Sequence, residues 1–255
     1  MQCVYCGYAT FEGDSFCEGC GQRIEAPAPN PAPAQMTAKS YACANVQTSR
    51  SVSVEQSKML LVFMVDNSVS ASTYINQLFD DMNRFYTDIL SDDIAKNALE
   101  IAVIKFNDTY GTTRGFPGVS SAQSSLPLTG GSSSYSAPIR EALLMAEEYT
   151  KSNARAYKPW VIMITPSEPS DDITSIAHEV QNMQNADKLR FMALGVLDYS
   201  PAALKKLTDV VFRQKGTDFA SFFTWISQCV KVIVRTKPGE KPQLPQLTGD
   251  VYRDR

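Results

Sequence analysis

An α/β fold with a doubly wound, mostly parallel sheet is predicted for the central part of this 255-residue chain. Short apolar segments alternate there with segments whose apolar residues recur at helical spacing, and such alternation is typical of this fold class. One segment, residues 59–65, is apolar at every position, as expected of a central strand buried on both faces. Cysteines clustered near the N-terminus indicate a second, much smaller module ahead of the sheet.

Four cysteines form two C-x2-C pairs, Cys3 with Cys6 and Cys17 with Cys20, and each pair is followed by glycine. Four thiolates make a closed tetrahedral zinc site, which is structural rather than catalytic. A module this short has too small an apolar core to fold without metal. The stretch resembles the short N-terminal zinc ribbons of many bacterial proteins, and we predict a ribbon over residues 1–25 that binds one Zn²⁺. A redox pair is the alternative, although it does not need the second C-x2-C.

The charges of the predicted ribbon are mostly negative. It contains Glu12, Asp14, Glu18 and Glu25 against Arg23. Ribbons that bind nucleic acid present lysine and arginine to the phosphates, so this balance disfavours nucleic acid. The charge pattern therefore predicts that the ribbon contacts a protein.

Proline-rich segments mark the domain boundaries. Residues 26–34 read APAPNPAPA, and proline at every second position favours an extended, semi-rigid linker, which we place over residues 26–40. The main domain is expected over residues 41–235, with a short first strand near its beginning, within residues 46–54. Residues 236–255 are rich in proline and charge, which predicts an extended tail, and the sequence leaves open whether that tail docks.

The first half of the main domain reads as alternating strands and helices. After the strand at residues 59–65, apolar positions at helical spacing predict an amphipathic helix over residues 72–90. Residues 99–106 predict the second strand. Ser136 is expected to cap a helix that has proline in its first turn. Residues 160–165 (WVIMIT) then predict a third buried strand.

The same alternation continues to the end of the domain. Ser170 and the two aspartates after it predict a helix start, because carboxylates favour the positive end of a helix. Residues 189–197 predict a strand, residues 201–207 a short helix and residues 210–212 an edge strand. A closing amphipathic helix, with Trp225 in the core, is predicted by apolar residues at Phe219, Phe222, Phe223, Ile226, Val230 and Ile233. Ligands of such sheets bind at the C-terminal ends of the strands.

A motif of hydroxyls and one carboxylate follows the first predicted strand. Asp66, Ser68 and Ser70 fit the pattern D-x-S-x-S at a strand-to-helix junction. With this motif, residues 58–234 resemble a von Willebrand factor A (vWA) domain, which has a Rossmann-like sheet, and are most similar to the TerY-type vWA proteins of bacterial tellurium-resistance and stress operons. The resemblance rests on the segments LLVFMVDNSVS, IAVIKFND, GGSSSYSAPIREAL, YKPWVIMITPSEPSDD and FASFFTWISQCV.

In vWA domains this motif belongs to a metal-ion-dependent adhesion site. Two serine hydroxyls and a threonine hydroxyl coordinate Mg²⁺ there, two aspartates act mainly through water, and a carboxylate of the partner completes the octahedron. The resemblance implies that Asp66, Ser68 and Ser70 form the first loop of such a site. Ser133 falls where the threonine is expected. A mostly neutral set of oxygen ligands of this kind suits Mg²⁺ and leaves it open to an anionic ligand.

The sequence departs from the family where the second aspartate is expected. Pro166 stands there and offers no side-chain oxygen, so the site has one carboxylate instead of two. Two interpretations stay open. In one, Glu168 or Asp171 substitutes and Mg²⁺ binds. In the other, the site is degenerate and the same surface binds a protein without metal.

Composition and motifs favour an interaction protein over an enzyme. Lys and Arg number 24 against 27 Asp and Glu, a net charge of −3 that argues against nucleic-acid binding. The single histidine, His178, is expected on a helix surface and has no second histidine to act with. Cys43 and Cys229 have no partner motif and are expected to be reduced thiols. The longest apolar run is too short for a membrane span and the N-terminus does not read as a secretory signal, so we expect a cytoplasmic protein.

The most favoured function is a non-enzymatic scaffold in which the ribbon and the main domain each recognise a protein. The resemblance adds that TerY-like proteins are encoded beside a PP2C-type phosphatase and a Ser/Thr kinase, which implies partners of those kinds in stress resistance or phage defence. A nucleic-acid-binding protein acting through the ribbon is the first alternative. A metal-dependent hydrolase is the second, and it would need a general base beside an open metal site.

Overall fold

Seven strands form one sheet in the part of the chain that the computed structural model describes, residues 57–114, 129–153, 155–237 and 240–254. The strand order is β3-β2-β1-β4-β5-β6-β7. The strands are β1 (Met59–Asp66), β2 (Leu99–Phe106), β3 (Tyr110–Arg114), β4 (Trp160–Thr165), β5 (Arg190–Val196), β6 (Val211–Gln214) and β7 (Val251–Arg253). Strands β2, β1, β4, β5 and β6 are parallel, and β3 and β7 pair antiparallel at the two edges. The predicted doubly wound, mostly parallel sheet of the vWA and Rossmann-like kind is confirmed.

Helices cover both faces of the sheet. They are α1 (Ile75–Leu90), α2 (Asp93–Ala98), α3 (Ser136–Ser152), α4 (Thr174–Asn185), α5 (Pro201–Leu207) and α6 (Ala220–Ile233), and a short 3₁₀ helix (Val69–Ala71) precedes α1. Residues of α1, α2 and α6 pack on one face, and residues of α3, α4 and α5 pack on the other. No helix within the described ranges combines the length and the apolarity needed to cross a bilayer.

The position of strand β1 between two layers of helices explains why its sequence is apolar throughout. Successive side chains of a strand point to opposite faces of the sheet. Leu61 and Phe63 accordingly pack in the core under α1 and α6, whereas Val62 and Met64 pack in the core under α3 and α4. Because both faces are covered by helices, every position of β1 is buried and none can be polar until Asp66 at its end.

Helix α6 carries the aromatic core that its spacing predicts. Phe222, Phe223 and Trp225 are all buried, so the expectation that they form core rather than an exposed patch is confirmed. The ring centroids of Phe63 and Phe223 lie 5.7 Å apart, and those of Phe63 and Phe85 lie 5.6 Å apart, both edge-on. Edge-to-face aromatic pairs at this separation add to the free energy gained by burying their area. They join α1 and α6 to the centre of the sheet.

The C-terminal segment docks on the domain and adds its last strand. Val251 is buried in β7, and the indole N–H of Trp225 donates a hydrogen bond of 2.9 Å to the carbonyl of Pro245. The Tyr199 hydroxyl donates to a carboxylate oxygen of Asp254 at 2.8 Å. Because β7 pairs with β6, the prediction that residues 210–212 form an edge strand is wrong, and β6 lies inside the sheet.

Several sequence predictions lie outside the described residues. They are the zinc ribbon with its four cysteines, the linker, the strand expected within residues 46–54, and Cys43. Within the described residues, Cys229 is a buried free cysteine, and burial raises the pKa of its thiol to about 12. A thiol this buried and this weakly acidic is unreactive. His178 is exposed on α4, as expected.

Candidate functional site

The carboxylate of Asp66 lies at the centre of the site, at the C-terminal end of β1, and is fully buried. One of its oxygens, Oδ1, accepts the backbone N–H of Ser68 at 2.9 Å. The other, Oδ2, accepts the hydroxyl hydrogens of Ser133 at 2.5 Å and Thr165 at 2.6 Å. A buried carboxylate is costly unless it is hydrogen-bonded or paired, and here three donors from three different segments satisfy it.

Backbone hydrogen bonds hold the first loop of the site against its neighbours. The N–H of Asn67 donates to the carbonyl of Phe106 at 2.6 Å, at the end of β2. The carbonyl of Asn67 accepts from Gly130 at 3.0 Å, and the N–H of Val69 donates to the carbonyl of Gly131 at 3.2 Å. The loop after β1 is therefore fixed between the end of β2 and the glycine pair, and the positions of Asp66 and Ser68 follow from that attachment.

Gly131 has to be glycine at this place in the site. Its φ is +70°, a left-handed conformation that L side chains rarely adopt, and a Cβ there would collide with the carboxylate of Asp108. That carboxylate accepts the backbone N–H of Ser132 at 3.0 Å and also the hydroxyl of the same serine. The turn thus joins the loop after β2 to the residue next to Ser133, which orients the Ser133 hydroxyl toward Asp66.

A tyrosine connects the loop after β4 to the same network. The hydroxyl of Tyr135 donates to the carbonyl of Ser167 at 2.6 Å and lies 2.9 Å from the Thr165 hydroxyl. The Ser167 hydroxyl in turn lies 3.2 Å from that of Ser68, so the network closes back on the first loop. Burial raises the pKa of Tyr135, and the nearby charge of Asp66 adds to the effect, so this phenol stays protonated and remains a donor.

A second buried phenol lies within the field of Asp66. Tyr74, which precedes α1, is 1% exposed, and its hydroxyl has no hydrogen-bond partner among the described residues. Burial raises the pKa of Tyr74 well above its ordinary value, and the charge of Asp66 adds to this shift. The negative charge at the end of β1 therefore raises the pKa of a buried tyrosine on each face of the sheet.

The structure brings three of the four predicted adhesion-site residues together. Asp66, Ser68 and Ser133 belong to one hydrogen-bonded network. Ser70 is exposed, and its side chain makes no hydrogen bond in the described part of the chain. Thr165 was not predicted as a site residue, although a polar side chain that ends a fully buried strand is the same signal that singles out Asp66.

Neither proposed substitute for the missing aspartate joins this network. Glu168 is exposed and makes no hydrogen bond or ion pair with any described residue. Asp171 instead accepts the backbone N–H groups of Tyr135 at 2.7 Å and Ser136 at 2.9 Å, and so caps the N-terminus of α3. Burial alone would raise the pKa of Asp171, but these hydrogen bonds outweigh it and hold the pKa below its ordinary value.

This capping corrects two sequence predictions. Ser136 does not cap α3 itself; its hydroxyl donates to the carbonyl of Asp172 at 3.1 Å, and the cap comes from Asp171 across the chain. The helix expected to start at Ser170 begins at Thr174, where Asp172 accepts the backbone N–H at 2.9 Å. The physical principle of a carboxylate at a helix N-terminus holds in both cases, but one of the two aspartates serves a different helix.

The donor set at the end of β1 does not fit a Mg²⁺ ion. Mg²⁺ requires six oxygens in near-ideal octahedral geometry and is usually held through one or two carboxylates. The network has one carboxylate, and both of its oxygens already accept N–H or O–H donors from the protein. Pro166 is buried and has no side-chain oxygen, and the described residues contain no cluster of three or more metal-binding His, Cys, Asp or Glu side chains.

Comparison with known proteins relates this fold to solved structures. The sequence matches no protein-family model and no curated protein. The pilus adhesin SpaC from Lactobacillus rhamnosus GG, in its open conformation, is similar with a TM-score of 0.57 and 14% identity over 68% of this chain and 30% of the adhesin. Proximal thread matrix protein 1 from the mussel byssus has a TM-score of 0.52 and 16% identity over 78% of this chain and 49% of that protein. The VWA domain of SpRpn10 has a TM-score of 0.48 and 12% identity over 64% of this chain and 92% of that domain's chain.

The chain spans less than half the length of the adhesin and of the thread matrix protein. At these identities the likeness concerns the fold alone. The sheet order is that of a vWA-like α/β fold.

Proposed function

We propose that this chain is a non-enzymatic, TerY-like interaction protein that binds a partner protein through its strand-end surface. We define this surface as residues 67–74, 107–110, 129–135 and 166–173. The observation that carries the proposal is the Asp66 network, which, together with the contact between Ser68 and Ser167 and the hydrogen bond between Ser132 and Asp108, ties these four segments into one pre-organised polar surface. Surfaces whose groups are already ordered bind with a smaller entropy cost.

Two further observations support an interaction role over catalysis. The hydroxyls of Ser133 and Thr165 donate to a buried carboxylate, and both side chains are themselves buried, so neither hydroxyl is presented to a substrate as a nucleophile would be. His178 is on the exposed side of α4 and makes no contact with this network. By name, two proteins of similar fold are an adhesin and a matrix protein, which agrees with a binding role.

The proposal extends to the parts of the chain outside the described residues. The acidic ribbon would contact a second site on the same partner or a second protein, and the proline-rich linker would set the distance between the two contacts. Linking two weak contacts in this way raises the overall affinity through effective concentration. A phosphatase or kinase of a cytoplasmic bacterial stress or defence system is the kind of partner that the TerY resemblance supports.

The ribbon is expected to bind one zinc ion through Cys3, Cys6, Cys17 and Cys20. Purified wild type should contain about one equivalent of zinc, and Cys17→Ser should lose it, because a structural site needs all four thiolates. Elemental analysis by mass spectrometry measures the metal. Cys43→Ser is the matched control, because it removes a cysteine outside the two pairs and should keep the zinc. Less than about half an equivalent in wild type would contradict the four-thiolate site.

The strand-end surface is tested by affinity capture from the native host, with partners identified by mass spectrometry. We expect wild type to capture a partner and the paired variant Asp66→Ala, Ser68→Ala to lose it, because the two changes dismantle the network that orders the surface. Capture is repeated with Mg²⁺ and with a chelator. Without a metal requirement, the amount captured should be the same under both conditions.

The matched control for this experiment is Asp88→Ala, Ser227→Ala. This pair is also a carboxylate hydrogen-bonded to a serine hydroxyl, but it joins α1 to α6 away from the strand-end surface. The control variant should capture the partner as wild type does. Circular dichroism and thermal unfolding establish that both variants fold. Retention of the partner by a folded Asp66→Ala, Ser68→Ala variant would exclude the strand-end surface as the binding site.

A further inference from the structure

The strand-end surface is negatively charged and contains no basic residue. Its four segments carry the carboxylates of Asp108, Glu168, Asp171 and Asp172, with Asp66 beneath them, and no lysine, arginine or histidine. None of these five carboxylates forms an ion pair in the described part of the chain. The potential of the surface is therefore set by five carboxylates, and Lys206, which acts on Asp172, is a countercharge that lies outside the four segments.

Three of these carboxylates are already used inside the protein. Asp108 holds Ser132, Asp171 caps α3, and Asp172 accepts the N–H of Thr174. Their hydrogen bonds occupy one oxygen of Asp108 and of Asp172 and both oxygens of Asp171, but they leave the charges in place, because every donor is a neutral N–H or O–H group. Glu168 differs from them, since it is exposed and makes no hydrogen bond or ion pair among the described residues.

Two exposed apolar side chains lie on the strand-end surface. Val69, in the loop after β1, is 63% exposed. Tyr110 is 43% exposed and pairs in register with Phe106 at the end of β2. Phe106 in turn pairs with Asp66, so Tyr110 lies two strands from the buried carboxylate. An exposed aromatic ring attracts cations at its face, and an aliphatic side chain contacts the methylene stem of lysine or arginine.

We infer that the partner presents lysine or arginine side chains to the strand-end surface, an inference that rests on the proposed function. The vWA resemblance implies the opposite, a partner carboxylate held by Mg²⁺. That arrangement needs a metal ion to overcome repulsion by Asp66 and its neighbours, and the donor set does not fit one. A cation needs no metal, gains from all five carboxylates, and finds Tyr110 and Val69 beside them.

The inference is tested with two short fluorescein-labelled peptides, one of repeated Gly-Leu-Lys and the other of repeated Gly-Leu-Glu. Fluorescence anisotropy measures their binding to the full chain at low salt, with Mg²⁺ and with a chelator. We expect the lysine peptide to bind at least about tenfold more tightly than the glutamate peptide. Its affinity should be unchanged by the chelator and should fall as salt is added, because salt screens exposed charges.

A pair of charge reversals distinguishes the effect of this surface on peptide binding from the effect of the protein's net charge. Glu168→Lys should weaken binding of the lysine peptide about tenfold. Asp209→Lys makes the same charge change at an exposed residue before β6, at the opposite end of the parallel strands, and should change the affinity less than about twofold. Both positions are exposed, so neither substitution is expected to prevent folding.

Two results would overturn the inference. If both charge reversals weaken binding equally, or if no preference for the lysine peptide is seen, the surface does not select a cation. If the glutamate peptide binds more tightly and loses its affinity on chelation, the partner contributes a carboxylate through a metal. That last result would leave the proposed function intact, because the strand-end surface would still be the binding site. Failure of the proposed function itself would appear in host capture, as a partner retained by Asp66→Ala, Ser68→Ala.

Discussion

Replacing Pro166 with aspartate is expected to give the strand-end site an affinity for Mg²⁺. The substitution supplies the second carboxylate of the adhesion-site pattern, directly after Thr165, whose hydroxyl is 2.6 Å from Asp66. A divalent ion would then offset the repulsion between two neighbouring carboxylates. With Mg²⁺ at about a hundred times its Kd, linkage stabilises the folded state by about 2.7 kcal/mol. For a domain of this size we expect Tm to rise by roughly 5–10 °C.

Thermal unfolding with Mg²⁺ and with a chelator measures this effect. In the chelator, Pro166→Asp should unfold at a lower temperature than wild type, because an uncompensated carboxylate has been added beside Asp66. Pro169→Asp is the matched control, since it places aspartate on the same loop but outside the pattern, and it should show no Mg²⁺ shift. Wild type should also show none. A Mg²⁺ shift of similar size in wild type would mean that the natural donor set binds the ion despite Pro166.

The strands of the parallel core were the most predictable part of this fold. Residues 59–65, 99–106 and 160–165 are apolar because both faces of the sheet are covered, and the structure places β1, β2 and β4 there. The D-x-S-x-S motif also marks the correct end of β1. Burial on two faces leaves a strong signal in the sequence, since it constrains every residue of the strand.

Short elements held by capping and pairing left no such signal. Helix α2 has six residues and is fixed by Asp92, whose carboxylate accepts from the N–H groups of Ile94 and Ala95. Strand β3 has few apolar residues and depends on its pairing with β2. Helix α1 begins three residues later than predicted, because the loop after Asp66 first forms a 3₁₀ turn. Each element is decided by contacts that hydrophobic periodicity does not report.

Both the residues of the site and their connections were only partly predictable. Asp66, Ser68 and Ser133 were predicted through the resemblance to vWA domains, yet Asp171 was assigned to the wrong helix. Helix caps from distant segments cannot be read from local spacing, because the donor and the acceptor are more than thirty residues apart in the chain. The roles of Thr165 and Tyr135 depend on the same long-range geometry.

Removing the C-terminal segment, by ending the chain at Thr236, is expected to destabilise the domain by about 3 kcal/mol or more. The deletion exposes the β6 edge and the indole of Trp225, and it removes the packing of Leu244, Leu247 and Val251 against the core. Ordering this segment costs conformational entropy, which offsets part of the apolar burial and keeps the net effect moderate. Thermal unfolding should show Tm lower by roughly 6–12 °C.

Substitutions at two adjacent residues of β7 test whether the packing of the C-terminal segment on the core, and not only the presence of that segment, stabilises the domain. Val251 is 3% exposed and Tyr252 is 47% exposed, so the two side chains point to opposite faces of the same strand. Val251→Asp should reproduce much of the deletion, because a charge cannot be buried there without a partner. Tyr252→Asp should change Tm by less than about 2 °C. An unpaired β6 edge also predicts concentration-dependent association of the truncated chain, measured by light scattering, because an exposed strand edge pairs with other chains. A truncated chain as stable as wild type would mean that β7 contributes nothing to the fold, and equal effects of the two aspartates would mean that burial of Val251 is not what docks the segment.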